Sequence, residues 1–442
     1  MAIEGSCSSL LELLSVSVVL DQTSPYLPIT SLLALAATSK SFRSLIHHTP
    51  GVFRRLDLTQ CKRAKFEIAA IDNGGQRWRN VQMDENVTEE DFYGGPLMAI
   101  LNALRRQNIL QDVQTLILDG LSVTSDMVHD IICGDSTNVR ILSIREVRHL
   151  NERKLQQALQ YAVRASRPPH TPKLEALYIF GPKDPVPHLR TSVERIPSGV
   201  PSTNSSSARG GVMHSEGAQI GARWNQISEG ALTEELKRGD KWYQRRGKVL
   251  VKPQSHEWAS TIMACQGIIS FDAVLCNGPR HSLTTTGGGD DISLPWYKQQ
   301  SVYIPPRIAT YSLDGCCKCN SAPEAFSKFG ISPMDHFPLL SPPPLHSFTT
   351  KSAKAPSHED SPDKKLLLRC IDCMQSRRCD SCEKWWCEDC YDMPYATLQP
   401  AAESGKHGAS TLNEVKVHMG LCVENCLVAE MMSGAGSNGM WG

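Results

Sequence analysis

Cysteine dominates the chemistry this sequence can offer. Eleven of its sixteen cysteines lie between residues 310 and 430. They fall as Cys316/Cys319, Cys370/Cys373, Cys379/Cys382, Cys387/Cys390 and Cys422/Cys426, the last pair preceded by His418. Four pairs have two residues between the sulfurs and the fifth has three. Two intervening residues let a tight turn aim both thiolates at one tetrahedral ion, and two such turns complete a zinc site. The expected ligands are therefore these paired cysteines and His418. They would hold about two zinc ions, with a third if Cys422, Cys426 and His418 form a site of their own. The first four pairs fill two sites whether they interleave or follow sequence order. An iron–sulfur cluster would favour a single run of cysteines, and a thioredoxin-like redox centre needs only one such pair in its own domain. Cys317, beside Cys316, is not expected to be a ligand. Cys7, Cys61, Cys133, Cys265 and Cys276 read as small core hydrophobes. Of Trp385 and Trp386, one is expected to pack over the ligands, leaving the other available to a peptide.

The rest of the chain must position this region. Its 442 residues exceed a single core, so several units are expected. Lys plus Arg and Asp plus Glu are equal at 46 each. No net field draws the chain toward nucleic acid or anionic lipid, and neither is an expected partner. The apolar run "LLELLSVSVVL" (10–20) is too short to span a bilayer, and Glu4 and Glu12 stand where a signal peptide carries positive charge. A chain of the cytoplasm, the nucleus or both is expected, where thiols stay reduced and metal is favoured over disulfides.

Leu10, Leu11, Leu13, Leu14 and Val18 recur at helical spacing, and a second helix is expected in "PITSLLALAATSKSF". From residue 113 strand-like segments recur, "VQTLIL", "VRILSI" and "LEALYI", each followed or preceded by a helical stretch. "FRRLDL" (53–58) offers an earlier strand. Residues 185–240 are Ser-, Gly- and Thr-rich and read as a disordered linker. Residues 241–310 read as an ordered segment of unassigned role. Residues 311–430 form the cysteine-rich module, with a Pro/Ser-rich insertion at 335–365 read as a linker. The fold class expected is α+β and multidomain, with a small zinc-stapled module at its end.

The stretch "LPITSLLALAATSKSFRSLIHHTPGVFRRLDL" (27–58), with the helix before it, resembles an F-box, here spanning 8–58. The resemblance implies docking on a Skp-type adaptor through Leu11, Leu14, Leu27, Pro28, Leu32, Leu33, Leu35 and Phe42. It departs from the family in Phe53, where Trp is common, and in the absence of an opening Leu-Pro. The recurring Leu-x-Leu segments of 59–184 resemble an irregular leucine-rich repeat. Alternation along such strands would turn Ile117, Ser143 and Tyr178 toward a protein substrate. The cysteine spacing over 370–390 is similar to RING- and ZZ-type fingers, without the central His of a RING.

Together these resemblances imply a non-catalytic substrate receptor of a cullin-based (SCF) ubiquitin ligase. Two other readings stay open: a RING-like ligase acting directly, and a nuclear zinc-finger interaction protein. No catalytic residue is expected, because G-x-S-x-G, Walker and H-E-x-x-H signatures are absent from the sequence.

Overall fold

The computed structural model describes residues 9–65, 89–184, 246–250, 254–278, 281, 305–321, 327–355, 365–388, 390–391 and 415–432. Met1–Pro182 and Trp242–Gly442 group as one compact unit. Of the other unit, Lys183–Lys241, only Lys183 and Asp184 are described, so the linker expected at 185–240 lies outside the described residues.

Four short helices open the chain: α1 (Leu10–Ser15), α2 (Ser17–Thr23), α3 (Ile29–Thr38) and α4 (Lys40–His48). Ser9 and Glu12 form a reciprocal capping box on α1, and the Ser39 hydroxyl caps α4 by accepting from Phe42 N at 3.1 Å. Leu14, Leu20, Leu32, Ala36 and Ile46 turn inward and join the main core.

That core is organised by a five-stranded, all-parallel sheet of order β1-β2-β3-β4-β6. Its strands are β1 (Arg55–Asp57), β2 (Thr115–Ile117), β3 (Ile141–Ser143), β4 (Ala176–Tyr178) and β6 (Ser270–Phe271). The register lines up Leu56, Leu116, Leu142, Leu177 and Phe271 in one row across the sheet. Each of the five is buried in the same core. Helices lie between the strands, as parallel pairing requires. They are α5 (Glu89–Arg106) and α6 (Ile109–Asp112) before β2, α7 (Ser125–Cys133) before β3, α8 (Glu152–Ala162) before β4, and α9 (Glu257–Cys265) before β6. Thr124 and Asn151 cap α7 and α8 through the amides of Met127 and Lys154.

The opposite face of the sheet is also covered. Ile117, Ser143 and Tyr178, expected to face a substrate, are buried. Ser143 donates to Asp119 Oδ1 at 2.7 Å, and Arg145 Nη2 pairs with Asp119 Oδ2 at 2.7 Å in the same buried cluster. Tyr178 packs with Ile141, Ala176, Leu339 and Ala353. The side chains alternate between the two faces, but the second face is not exposed, because a parallel sheet buries both. The cover over Tyr178 comes from the Pro/Ser-rich insertion: Leu339 and Ala353, the latter in α10 (Thr350–Lys354), pack on it, while Phe337 and Leu340 are buried in a separate cluster with Leu366 and Leu368. This part of 335–365 is therefore a packed element and not a linker.

A second sheet, of order β5-β7-β9-β8, is antiparallel. It contains β5 (Gly247–Lys248), β7 (Tyr311–Leu313), β8 (Ser327–Lys328) and β9 (Lys365–Arg369). Residues 241–310 thus contribute to both sheets, β5 to one and β6 to the other. Among the described residues no helix is long and apolar enough to cross a membrane.

Candidate metal centres

Among the described residues three groups of four ligand atoms form, each with all its atoms within 4.8 Å of one another. Centre A gathers Cys276, His281, Cys370 and Cys373; centre B gathers Cys316, Cys319, Cys387 and Cys390; centre C gathers Cys379, Cys382, Cys422 and Cys426. All of these cysteines are free thiols. Sulfur–sulfur separations are 3.8 Å for Cys276–Cys373, 3.7 Å for Cys319–Cys387 and 3.7 Å for Cys382–Cys422. A Zn–S bond of about 2.3 Å in tetrahedral geometry sets a sulfur–sulfur edge of about 3.8 Å, whereas a disulfide would bring them to about 2.0 Å. The donor sets, Cys₃His and twice Cys₄, are those of closed structural zinc sites. Zinc would be held by these twelve residues and would supply cross-linking, since no position is left open for a reacting water.

Short turns place each pair. In centre A, Cys370 is the N-cap of α11 (Ile371–Met374), so Cys373 returns to the same side one turn later. Its other half comes from the segment after β6. Gly278 N donates to Cys276 Sγ at 3.4 Å, and His281 N donates to Gly278 O at 3.0 Å, which folds the imidazole back. His281 Nε2 then lies 3.1 Å from Cys370 Sγ and 3.2 Å from Cys373 Sγ. All four residues are buried.

In centre B, Cys316 N donates to Ser321 O and Asn320 N to Cys316 O, closing a loop in which Asn320 has φ 55°. A Cβ on Gly315 would fall 2.3 Å from Asn320 O, so only glycine fits there. Cys316 Sγ accepts from Lys318 N at 3.4 Å and from Cys387 N at 3.2 Å, which fixes the sulfur within the loop.

Centre C closes on a hairpin of β10 (Val417–His418) and β11 (Leu421–Cys422). Its two-residue loop, Met419 and Gly420, has φ 48° and 79°, the positive pair that a tight hairpin needs. Helix α12 (Cys426–Met432) follows, and Cys426 N donates to Cys422 Sγ at 3.4 Å.

Electrostatics divides the thiols within each centre. Cys319 is lowered to about 7, chiefly by its hydrogen bond with the Ser321 backbone and then by neighbouring thiols. Burial pushes the Cys379 thiol up, but backbone donors of Cys382, Cys422 and Ser381 bring it down to about 6. Their partners move the other way: Cys382 is raised to about 12 and Cys390 to about 11, with burial as the leading cause in each. Thiols this close share protons, which a divalent ion would replace.

Ten of the eleven expected ligands fall into the three groups, and the pairing in centres B and C interleaves. The first and third pairs of the series Cys316/319, Cys379/382, Cys387/390, Cys422/426 share one centre, the second and fourth the other. Cys370/Cys373 stands apart and takes ligands that the sequence reading passed over. Cys276 is one of them: it is buried in a core, as expected, and its sulfur also faces the other donors of centre A. His418 is the reverse correction. Four thiolates already complete centre C, and along β10 Val417 turns inward, which leaves His418 exposed on the other side. Both tryptophans are also buried, Trp385 with its Nε1 donating to Asp314 O at 3.0 Å, so neither is offered to a peptide. Comparisons with protein-family models, with curated proteins and with solved structures return no match to this chain.

Proposed function

We propose that this protein is a non-catalytic receptor subunit of a cullin-based ubiquitin ligase, its N-terminal helices docking on a Skp-type adaptor and its sheet and zinc regions recruiting a protein substrate. The observation that carries the reading is the outer face of α1 to α4. Leu10, Leu13, Val16, Val18, Tyr26, Leu27 and Leu33 are exposed, Val18 at 67% and Tyr26 at 65%. So many large apolar side chains on about forty residues mark a surface suited to a protein partner.

The expected contact residues divide on this surface. Leu27, Pro28 and Leu33 are exposed; Leu11, Leu35 and Phe42 are half-buried; Leu14 and Leu32 are buried and anchor the helices to the core. Adaptor contact therefore belongs to the first group and the rims of the second.

A chain carrying Leu27→Asp with Leu33→Asp leaves the anchors intact. Each buried leucine is worth about 1.5–3 kcal/mol, so the double change is expected to weaken adaptor binding by at least about a hundredfold. The measurement is co-purification of adaptor and cullin with the full chain, alongside unchanged zinc content. Undiminished adaptor binding rejects the reading. Ubiquitin chains formed by the full chain with conjugating enzyme alone would favour a directly acting ligase built on interleaved centres B and C.

A further inference from the structure

Beside centre A, a cavity of about 180 Å³ lies between the edge of the parallel sheet and the antiparallel one. Its buried apolar walls are Ile262 of α9, Ile269, Phe271 of β6, Val274, Phe337 and Leu368 of β9. Gln266, Asp335 and His336 also line it, and all three are exposed, which places its opening to solvent. Lys354, the last residue of α10, completes the lining and is only 4% exposed. A lysine near the surface normally lays its stem on apolar side chains and keeps its ammonium in water. This one turns inward. Among the described residues its one hydrogen bond runs to Met334 O at 2.8 Å, and it pairs with no carboxylate. An ammonium has three donors, so two are left for another acceptor. Burial lowers Lys354 from the ordinary lysine value, and the nearby Asp335 opposes that shift without cancelling it. Apolar walls thus surround a buried cation that is short of countercharge, a cost that an anion would relieve.

We propose that this cavity binds a small monocarboxylate with an apolar body, its carboxylate accepting from the Lys354 ammonium and its body resting on Phe271, Val274, Phe337 and Leu368. Each part of that chemistry answers a feature of the site. An apolar cavity of about 150 Å³ accommodates benzene, so one aromatic ring or a short branched chain fits here and a peptide does not. A single cation, with Asp335 at the opening, suits one negative charge; a phosphate dianion would lack partners, since no arginine lines the cavity. Because the walls come from β6 and β9, the ligand joins the same two sheets that centre A joins through metal. The proposal is independent of the ligase reading.

The experiment uses the zinc-loaded full chain, with benzoate as probe and benzamide as its neutral twin, followed by titration calorimetry. Benzoate is expected to bind saturably, one per chain, and at least about tenfold more tightly than benzamide, the margin of a charge-assisted hydrogen bond. Lys354→Met keeps the apolar stem and removes the charge, so it should erase that preference while benzamide binding persists. Val274→Phe fills the cavity and should abolish binding of both. Zinc content, unchanged in each variant, shows that the fold is kept. The wild-type comparison needs no variant: benzoate that fails to bind, or binds no better than benzamide, overturns the proposal. Benzoate held as tightly by Lys354→Met or by Val274→Phe as by wild type overturns it equally, because the ligand would then sit elsewhere. None of these readouts involves the adaptor.

Discussion

Gly278 shows how closely single residues control the buried centre. A Cβ there would lie 2.9 Å from Cys373 Sγ and 3.3 Å from Cys276 Sγ, so a side chain at this point would enter the ligand set. The glycine lets the backbone pass close enough for its amide to bond a sulfur. This assignment is tested by zinc content. Cys276→Ser is expected to take the full chain from three ions to two by native mass spectrometry, while His418→Ala keeps three; the opposite pattern would reverse the assignment of both residues. The sequence held a clue to centre A that pair spacing concealed. Five cysteine pairs supply ten thiolates, two short of filling three tetrahedral sites. The two further ligands, Cys276 and His281, are separated by four residues and lie about ninety residues before their partners. No local motif marks that arrangement; it exists only once β6 has carried the chain alongside β9.

Among the elements, the strands were legible and the cover was not. Leu116, Leu142 and Leu177 recur in equivalent positions because each fills the same row, and β1 was legible from "FRRLDL" for the same reason. Strand β6 has two residues and no repeating pattern, so only its pairing with β4 reveals it. Proline and serine in 335–365 suggest a linker, whereas a few buried side chains, Leu339, Leu340 and Ala353, suffice to pack part of it. The central position of the row predicts a measurable cost. Leu142 is fully buried between Leu116 and Leu177, and Leu142→Ala leaves a cavity that rigid neighbouring strands cannot close. We expect a loss of about 2–5 kcal/mol, read from chemical denaturation with zinc present. A loss below about 1 kcal/mol would mean the row is looser than its burial indicates.

At the scale of the molecule, the three centres hold different things together. Centres B and C interleave, so neither can open without loosening the other, and both include an exposed ligand, Cys319 and Cys382. Centre A is closed to solvent and joins the segment after β6, at the edge of the parallel sheet, to α11, which follows β9 of the antiparallel sheet. Metal binding in small zinc modules contributes about 10–16 kcal/mol, comparable to the whole stability of a typical domain. Loss of ions should therefore unfold the region they staple and spare the leucine-filled sheet. Under a chelator in excess, the full chain is expected to release about two ions together in a first phase and one in a distinctly slower phase, the exposed thiolates giving the chelator its entry. Hydrogen exchange should rise across 311–321 and 379–432 during the first phase, with β1 to β4 protected throughout. Lower pH should accelerate the first phase, since protons compete with zinc for the same thiolates and affinity falls as pH falls. Release of all three ions in one phase, or of the centre A ion first, would mean that burial does not set the order, and that the two sheets are coupled more tightly than their separate cores imply.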